Sequence, residues 1–496
     1  MFKTWMSAGF VKVCDNTEAP EIMSNITKLY MAKNESESTL ITIFSDEDID
    51  GLSFSADNVP AGMTVTYLKE YTIKTGNDRY PDPIVPVEGE FSVEANKNTS
   101  FLVRLTTSKN IAHAQYSFPI RLKKDGNVIF DYYIDVKVWK FAYPDHPTCE
   151  TVFGLGIGGG IKSIIDKHGI DDKERLDEMY KKYFDIFLDY KTSADTLPYA
   201  ILDPRADTYM SDPRVTTFRV SNAVSDEHLK ANYEKLKTNP EWLKKAYCYP
   251  FDEPTTVDHL NTTAERSDRI HSIAPKLNCV TPFFRNPDYD ENRDAMEFLK
   301  DHIDIFCPKA YCYMDKNIYS PSQMEKYPSF KDRMAQFVSE GKRVWWYVCW
   351  EPGDPYCNVY VNEQGINHRL LFWQQYLHNV QGFLYWASTW WSAVKDPWED
   401  MATVPGLSPN VFGDGSMLYN GNKVGIDGPV ASLRLDIIRD GVEDFELLTM
   451  ASEKLGREWV DAKIKELTPD VVTHTSDADL FSRVRAEIGN ALNEKY

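Results

Sequence analysis

The sequence predicts a multidomain α/β protein with an N-terminal β-sandwich, a TIM-type (β/α)8 barrel and a helical C-terminal extension. Its 496 residues exceed what one compact core normally holds. Residues 1–145 contain short strand-like runs separated by turn signals such as Asp50-Gly51 and Asp125-Gly126. Beyond them, short apolar runs alternate with helical stretches, which is typical of a parallel barrel.

The predicted domains follow these changes of pattern: a β-sandwich over 1–145, a (β/α)8 barrel over 146–450 and a helical region over 451–496. The predicted barrel strands are Val152–Ile157, Leu197–Leu202, Thr217–Ser221, Ala246–Phe251, Asn278–Phe283, Ile303–Pro308, Val344–Trp350 and Gly382–Ser388. Predicted helices between them include 173–188, 225–237, 256–273, 321–340 and 367–379. In such a barrel the functional groups lie at the carboxyl ends of the strands.

Composition and charge narrow the classes of partner. The net charge of −20 disfavours nucleic acid, because an acidic surface repels phosphates. No run of about 18 apolar residues occurs, so no membrane span is predicted. Aromatic residues make up 13% of the chain. Their flat rings suit sugar faces, although composition alone favours a large core with aromatic packing.

Cysteine usage and the start of the chain bear on location and metal content. The eight cysteines show no disulfide-framework spacing, and neither a CxxC pair nor an HExxH motif occurs. Free thiols in a reducing compartment are therefore expected, and a zinc site is not. The first residues lack the apolar run of a signal peptide. The sequence as given predicts a cytoplasmic protein, or an exported one if a leader has been removed.

A glycine-rich stretch, Gly154–Gly160, formally contains GxGxxG. A dinucleotide-binding site also needs a helix directly after these glycines and an acidic residue at the next strand end. The glycines instead overlap the end of the first predicted strand, and no such acidic residue follows. A loop of close backbone approach at the barrel rim is the preferred interpretation, and phosphate binding is the alternative.

The main chemical signal is Asp252-Glu253 at the end of the fourth predicted strand, followed by Pro254. Adjacent acids at a barrel mouth repel one another, so one of them should keep its proton near neutral pH. That state is the one a general acid needs. The alternative is a solvated acidic pair stabilised by the N-terminus of the following helix.

The adjacency of these acids bears on mechanism. Neighbours in sequence do not easily face each other across a sugar, as a double-displacement pair must. They can lie on one flank of a substrate whose own 2-acetamido oxygen attacks the anomeric carbon. Glu253 would then serve as acid and base, and Asp252 would hold the acetamido N–H. An alternative pairs Glu253 with Glu351, which ends the seventh predicted strand, in ordinary double displacement.

Aromatic residues cluster at the other predicted strand ends and are candidates for sugar binding. The candidates are Tyr311, Tyr313, Trp350, Trp386 and Trp390. Alternation along a strand directs about half of such rings into the barrel interior, where they have a packing role.

Two stretches resemble glycoside hydrolase family 123, whose members are retaining β-N-acetylgalactosaminidases. One is Asp252-Glu253-Pro254, and the other runs from Gly413-Asp414-Gly415 to Leu448. The second includes Arg434, Arg439 and Glu443, and their spacing favours a structural ion network. The resemblance implies release of terminal β-linked N-acetylgalactosamine (GalNAc), with Asp252 as the acetamido stabiliser, Glu253 as acid/base, and no metal or cofactor.

The expected partner is therefore a glycan or glycolipid with terminal GalNAc, with no nucleic acid and no membrane span. The chain is short for the family and shows no export signal, which leaves the natural substrate open. GalNAc and N-acetylglucosamine (GlcNAc) both remain candidates, and the oligomeric state is not predicted. The other hypotheses are a glycosidase that uses Glu253 with Glu351, and a carbohydrate-binding protein without activity.

Overall fold

The computed structural model describes residues 1–155, 160–404, 406 and 411–496. Its N-terminal region consists of two five-stranded sheets, ordered β1-β3-β8-β5-β6 and β2-β10-β9-β4-β7. Their strands are β1 (Phe2–Ala8), β2 (Ile26–Lys33), β3 (Ser36–Ser45), β4 (Ile49–Ala56), β5 (Met63–Thr75), β6 (Asp78–Pro86), β7 (Phe91–Val93), β8 (Lys97–Thr107), β9 (Gln115–Lys124) and β10 (Asn127–Ala142).

The core of this region forms between the two sheets. Buried side chains from both, among them Met31, Ile41, Phe101 and Ile120, pack into one apolar cluster. Neighbouring strands are antiparallel except β2 and β10, which run parallel. The strand-rich N-terminal region expected from the sequence is thereby confirmed.

The second region is a nearly closed parallel barrel. Its seven-stranded sheet has the order β11-β17-β16-β15-β14-β13-β12. The strands are β11 (Glu150–Phe153), β12 (Phe218–Arg219), β13 (Ala246–Cys248), β14 (Asn278–Phe283), β15 (Ile305–Pro308), β16 (Arg343–Val348) and β17 (Gly382–Tyr385). The helices are α1 (Gly160–His168), α2 (Lys173–Asp189), α3 (Ala206–Ser211), α4 (Asp226–Leu236), α5 (Pro240–Lys245), α6 (Val257–Ile273), α7 (Ala295–Leu299), α8 (Asp315–Ile318), α9 (Pro321–Lys326), α10 (Phe330–Ser339) and α11 (Gly365–Leu377).

The second predicted strand, Leu197–Leu202, is wrong, because those residues form turns. Residues 193–195 occupy the corresponding position between β11 and β12. The Asp195 amide donates to Phe153 O at 2.9 Å, and the Arg219 amide donates to Asp195 O at 2.6 Å. This short polar segment carries no apolar run, so the sequence pattern pointed instead to the apolar residues after it.

The predicted helix 321–340 is two helices, α9 and α10. Pro328 separates them because proline lacks the amide proton that a helix interior needs. Ser329 then caps α10, its hydroxyl accepting from the Asp332 amide at 3.2 Å. No helix among the described residues is both long and apolar enough to cross a membrane.

The chain ends in a helical region that follows a short hairpin. The hairpin is β18 (Leu418–Asn420) and β19 (Pro429–Ala431), and the helices are α12 (Leu433–Leu455), α13 (Arg457–Leu467) and α14 (Ala478–Asn493). Helix α12 passes through the predicted domain limit at 450, and the three domain ranges remain predictions.

Helix α12 joins the sandwich to the barrel through buried charges. Arg434 pairs with Asp82 of the sandwich at 2.8 Å, and both are fully buried. The same guanidinium donates to the carbonyls of Gly413 at 3.0 Å and Ser416 at 2.6 Å. Arg434 therefore fixes the loop after β17, which reaches the mouth of the barrel.

Candidate active site

The carboxylate pair lies at the carboxyl end of β13, the position where a parallel barrel carries its chemistry. Asp252 is exposed and Glu253 is half-buried. Glu253 has φ of 47°, a left-handed backbone conformation that is uncommon for a residue with a side chain. Helix α6 begins shortly afterwards, capped by Thr256. This tight turn points two adjacent carboxylates into the same mouth.

The partner of Glu253 is a tyrosine from the opposite side of the barrel. The Tyr347 hydroxyl, on β16, donates to Glu253 Oε1. Burial raises the pKa of Glu253, the charges of Asp252 and Glu351 add to the rise, and the Tyr347 hydrogen bond opposes it. The net upward shift favours the protonated carboxyl, which is the form that donates a proton to a leaving group.

Asp252 is held by its own turn. The Tyr249 hydroxyl donates to Asp252 Oδ1 at 2.9 Å. The guanidinium of Arg219, from β12, lies 5.2 Å from the centre of the Tyr249 ring. Tyr249 thus orients the carboxylate, whose other oxygen is available to accept a hydrogen bond from a substrate.

Trp386 and Trp390 lie side by side after β17, with ring centres 5.4 Å apart. Both are half-buried. The Trp386 indole N–H is shared between the two carboxylate oxygens of Asp414, at 3.1 and 3.2 Å. Burial raises the pKa of Asp414 to about 6. A Cβ added at Gly415 would meet the Trp386 ring at 2.5 Å, so this loop packs closely behind the aromatic pair.

Tyr311 and Trp350 lie on the other side of the mouth, around Lys309. The Lys309 ammonium is 5.5 Å from the Tyr311 ring centre and 5.4 Å from that of Trp350. Trp350 is 42% exposed, and the Tyr311 hydroxyl donates to Phe284 O at 3.3 Å. Both rings are accessible at the rim.

Tyr313 is not brought to the mouth. It is 7% exposed and packs against Phe330, Trp346 and His378 in the core outside the barrel strands. The short 3-10 turn at Ala310–Tyr313 rotates successive side chains in a way that strand alternation does not anticipate. The other four predicted aromatic residues and both carboxylates lie along the rim.

Sequence reasoning missed three residues of this site: Tyr249, Tyr347 and Asp414. For Tyr347 a signal existed, since Trp345, Tyr347 and Cys349 alternate along one strand and all enter the barrel core. Asp414 belongs to the glycine-rich stretch that resembles the family, but nothing in its spacing pointed to Trp386. That pairing depends on the path of the loop.

The glycine-rich stretch begins beside the backbone of Trp386. A Cβ at Gly154 would meet the Trp386 carbonyl oxygen at 1.9 Å, so this glycine does allow a close backbone approach, whereas residues 156–159 lie outside the described residues. Within the described chain one group of possible metal ligands occurs, His271, Cys279 and Asp304, near the amino ends of the strands. Asp304 already accepts from His271 at 2.9 Å and from the Cys279 amide at 2.7 Å.

Comparisons with known proteins match the segment of the chain that carries this site. The catalytic-domain model of glycoside hydrolase family 123 matches residues 222–451, which contain both carboxylates and all five predicted aromatic residues. A family 123 glycoside hydrolase from Clostridium perfringens shares the fold over 100% of this chain and 98% of its own, with a TM-score of 0.72 and 13% identity.

Another solved glycoside hydrolase is only distantly similar to this chain. A family 39 glycoside hydrolase from Bacteroides cellulosilyticus is 8% identical over 84% of this chain and 81% of its own, with a TM-score of only 0.33. No curated protein matches the sequence. Residues 222–451, which carry both carboxylates, therefore match a glycoside hydrolase family 123 catalytic domain, and the whole chain shares the fold of a family 123 enzyme.

Proposed function

We propose that this protein is an exo-acting, retaining glycoside hydrolase that removes terminal β-linked GalNAc by substrate-assisted catalysis. The observation that carries the proposal is the adjacent pair at the end of β13, in which Glu253 has a raised pKa and Asp252 stays exposed. The substrate class follows the family and the C. perfringens relative, which is described as hydrolysing glycolipid glycans.

The proposed first step breaks the glycosidic bond. The substrate's acetamido oxygen forms a bond to the anomeric carbon while Glu253 gives its proton to the leaving oxygen, and an oxazolinium ring results. Asp252 accepts a hydrogen bond from the acetamido N–H and stabilises the positive charge that develops there. Tyr249 keeps Asp252 in place throughout.

The proposed second step reverses these roles. Glu253, now a carboxylate, takes a proton from a water that attacks the anomeric carbon and opens the ring. The sugar leaves with its original configuration, because the anomeric carbon has been attacked twice. Trp386 and Trp390 provide the aromatic platform for the sugar ring, and Tyr311 and Trp350 border the side on which the rest of the glycan would lie.

The first test compares 4-nitrophenyl β-GalNAc with 4-nitrophenyl β-GlcNAc, using the wild type, Asp252→Asn and Glu253→Gln. We expect hydrolysis of the GalNAc compound and its loss in Asp252→Asn. No turnover of either compound by the wild type would move the proposal to another sugar. Full activity of Asp252→Asn would refute substrate assistance.

A second candidate mechanism uses Glu351, since its charge acts on Glu253 and it lies at the same rim. It predicts that a substrate lacking the 2-acetamido group is still cleaved, whereas substrate assistance requires that group. A binding protein without activity is distinguished by retained sugar binding with no turnover. Isothermal titration with GalNAc, beside the hydrolysis assay, separates these outcomes.

A further inference from the structure

One buried lysine at the barrel mouth has no part in the proposed reaction so far. Lys309 directly follows β15, and its side chain is 2% exposed. Its ammonium lies 3.3 Å from Glu351 Oε2. Four aromatic rings surround the same nitrogen, with centres at 4.7 Å for Phe284, 5.5 Å for Tyr311, 5.5 Å for Tyr347 and 5.4 Å for Trp350.

The position of Lys309 is fixed by its neighbours on both sides. Its amide donates to Phe283 O at 2.9 Å, and its backbone forms a parallel bridge with Tyr347. The Tyr347 ring centre lies 5.5 Å from the Lys309 ammonium, and the Tyr347 hydroxyl donates to Glu253. Tyr347 is therefore a shared neighbour of the Lys309 ammonium and the Glu253 carboxyl.

We propose that Lys309 is a positioning residue for Glu253: its buried ammonium, paired with Glu351, supplies a fixed positive charge that lets one carboxyl act first as acid and then as base. This inference rests on the proposed function. The acid step turns Glu253 into a carboxylate, and the base step requires that carboxylate to persist until water attacks. A nearby cation stabilises it at that stage.

Some of the groups facing Glu253 stabilise its protonated form, and others stabilise the carboxylate. Burial, Asp252 and Glu351 raise the pKa of Glu253, whereas Tyr347 and Lys309 lower it. The other titratable groups that interact with it are neutral near pH 7, because burial raises the pKa of each: Tyr249, Cys307, Tyr311, Cys312 and Cys349. Lys309 is thus the cation that offsets two neighbouring carboxylates.

In this arrangement Glu351 is the ion-pair partner of Lys309 and not a nucleophile. It pairs with Lys309 and attenuates the lysine's effect on Glu253. Removal of Lys309 should therefore raise the proton affinity of Glu253, and removal of Glu351 should lower it. If both substitutions only disturbed the packing at the mouth, the two shifts in the proton affinity of Glu253 would not be expected to have opposite signs.

The test is a carbon-13 NMR titration of carboxyl-labelled glutamate, with the Glu253 signal assigned by its loss in Glu253→Gln. In Lys309→Met we expect the midpoint to rise by about one pH unit, and in Glu351→Gln to fall by less. Methionine suits the aromatic surroundings, and Glu351 is 43% exposed, so both variants should fold. Lys245→Met, which removes a buried lysine before β13 that donates to Met210 O and Asp212 O, should leave the midpoint unchanged.

An unchanged midpoint in Lys309→Met, or shifts of the same sign in both variants, would overturn the proposal. The titration needs no turnover, so it stands even if the wild type hydrolyses neither GalNAc nor GlcNAc substrates. With an active enzyme, the falling limb of the kcat/KM profile at high pH should move in the same two directions. Lys309→Met should also lower kcat more than it changes KM.

Discussion

The mouth of the barrel and the buried charge network around α12 are both rich in carboxyl groups. The two regions differ in the partners that these groups have. In the network, Arg369 pairs with Asp444 at 2.6 Å and with Glu37 at 2.9 Å, and all three are buried. At the mouth, neither Asp252 nor Glu253 forms an ion pair within the described part of the chain. Each instead accepts a hydrogen bond from a tyrosine.

For Asp444 and Glu37, the arginine partners outweigh burial in setting the direction of the pKa shift. Burial opposes ionisation of Asp444 and Glu37, yet Arg369 and Arg485 hold the pKa of both below its usual value. Burial of Glu253 is less complete, yet burial raises its pKa, and the hydrogen bond from the neutral Tyr347 hydroxyl offsets that rise only in part. Glu37 and Asp444 thus have their charges balanced inside the protein, whereas Asp252 and Glu253 have no cationic ion-pair partner among the described residues.

The largest expected effect is on the chemical step. Glu253→Gln should lower kcat/KM by up to about 10⁴-fold on an alkyl β-GalNAc glycoside, whose leaving group needs a proton. The loss should be smaller on the 4-nitrophenyl glycoside, because nitrophenolate departs with little acid assistance. Steady-state assays on both substrates measure this difference. Equal losses on the two would argue against the acid role.

Breaking the network should affect stability instead. Arg369→Met leaves Glu37 and Asp444 with less compensation, and we expect a loss of about 3–5 kcal/mol in the free energy of unfolding. Urea denaturation checks this. The matched control is Lys173→Met, whose exposed pair with Asp177 should contribute nothing measurable. Similar losses of unfolding free energy in the two variants would contradict a stabilising role for the buried network.

Asp414 offers a pH test, because it is buried at the mouth and forms no ion pair with any of the described residues. Its folded pKa of about 6 lies above the ordinary value of 3.8. The stability it contributes is therefore present below about pH 4 and lost as the pH rises to about 6. Up to about 3 kcal/mol is involved. Asp414→Asn should flatten that part of the unfolding free energy profile, and an unaltered slope would contradict the assignment.

The smallest effect concerns the aromatic platform. Asp414→Ala removes the acceptor of the Trp386 indole N–H, and loss of one such hydrogen bond should raise KM about tenfold. Asp414→Asn keeps an acceptor and should stay near wild type. Asp400→Ala, at an exposed carboxyl on the same stretch, serves as control. No change of KM in Asp414→Ala would mean that Trp386 needs no anchor.

Much of this architecture follows from the sequence alone. Alternation between strand-like and helical periods predicted a strand-rich region followed by a parallel barrel, and an apolar run ending in Asp252-Glu253 predicted where its chemistry lies. These signals are local, because a strand end, a proline and a helix cap are encoded within a few residues. The second predicted strand failed for the same reason, since residues 193–195 contain no apolar run and join the barrel through hydrogen bonds to β11 and β12.

The sequence by itself determined the residue types, the order of the elements and the position of the carboxylate pair. Only the tertiary structure decided that Tyr347 meets Glu253, that Asp414 holds Trp386, and that Tyr313 turns away into the core. Tyr347 and Glu253 lie 94 positions apart in the chain. Such contacts arise from barrel closure and loop path, which depend on the packing of all the strands together and leave no periodic trace in any one of them.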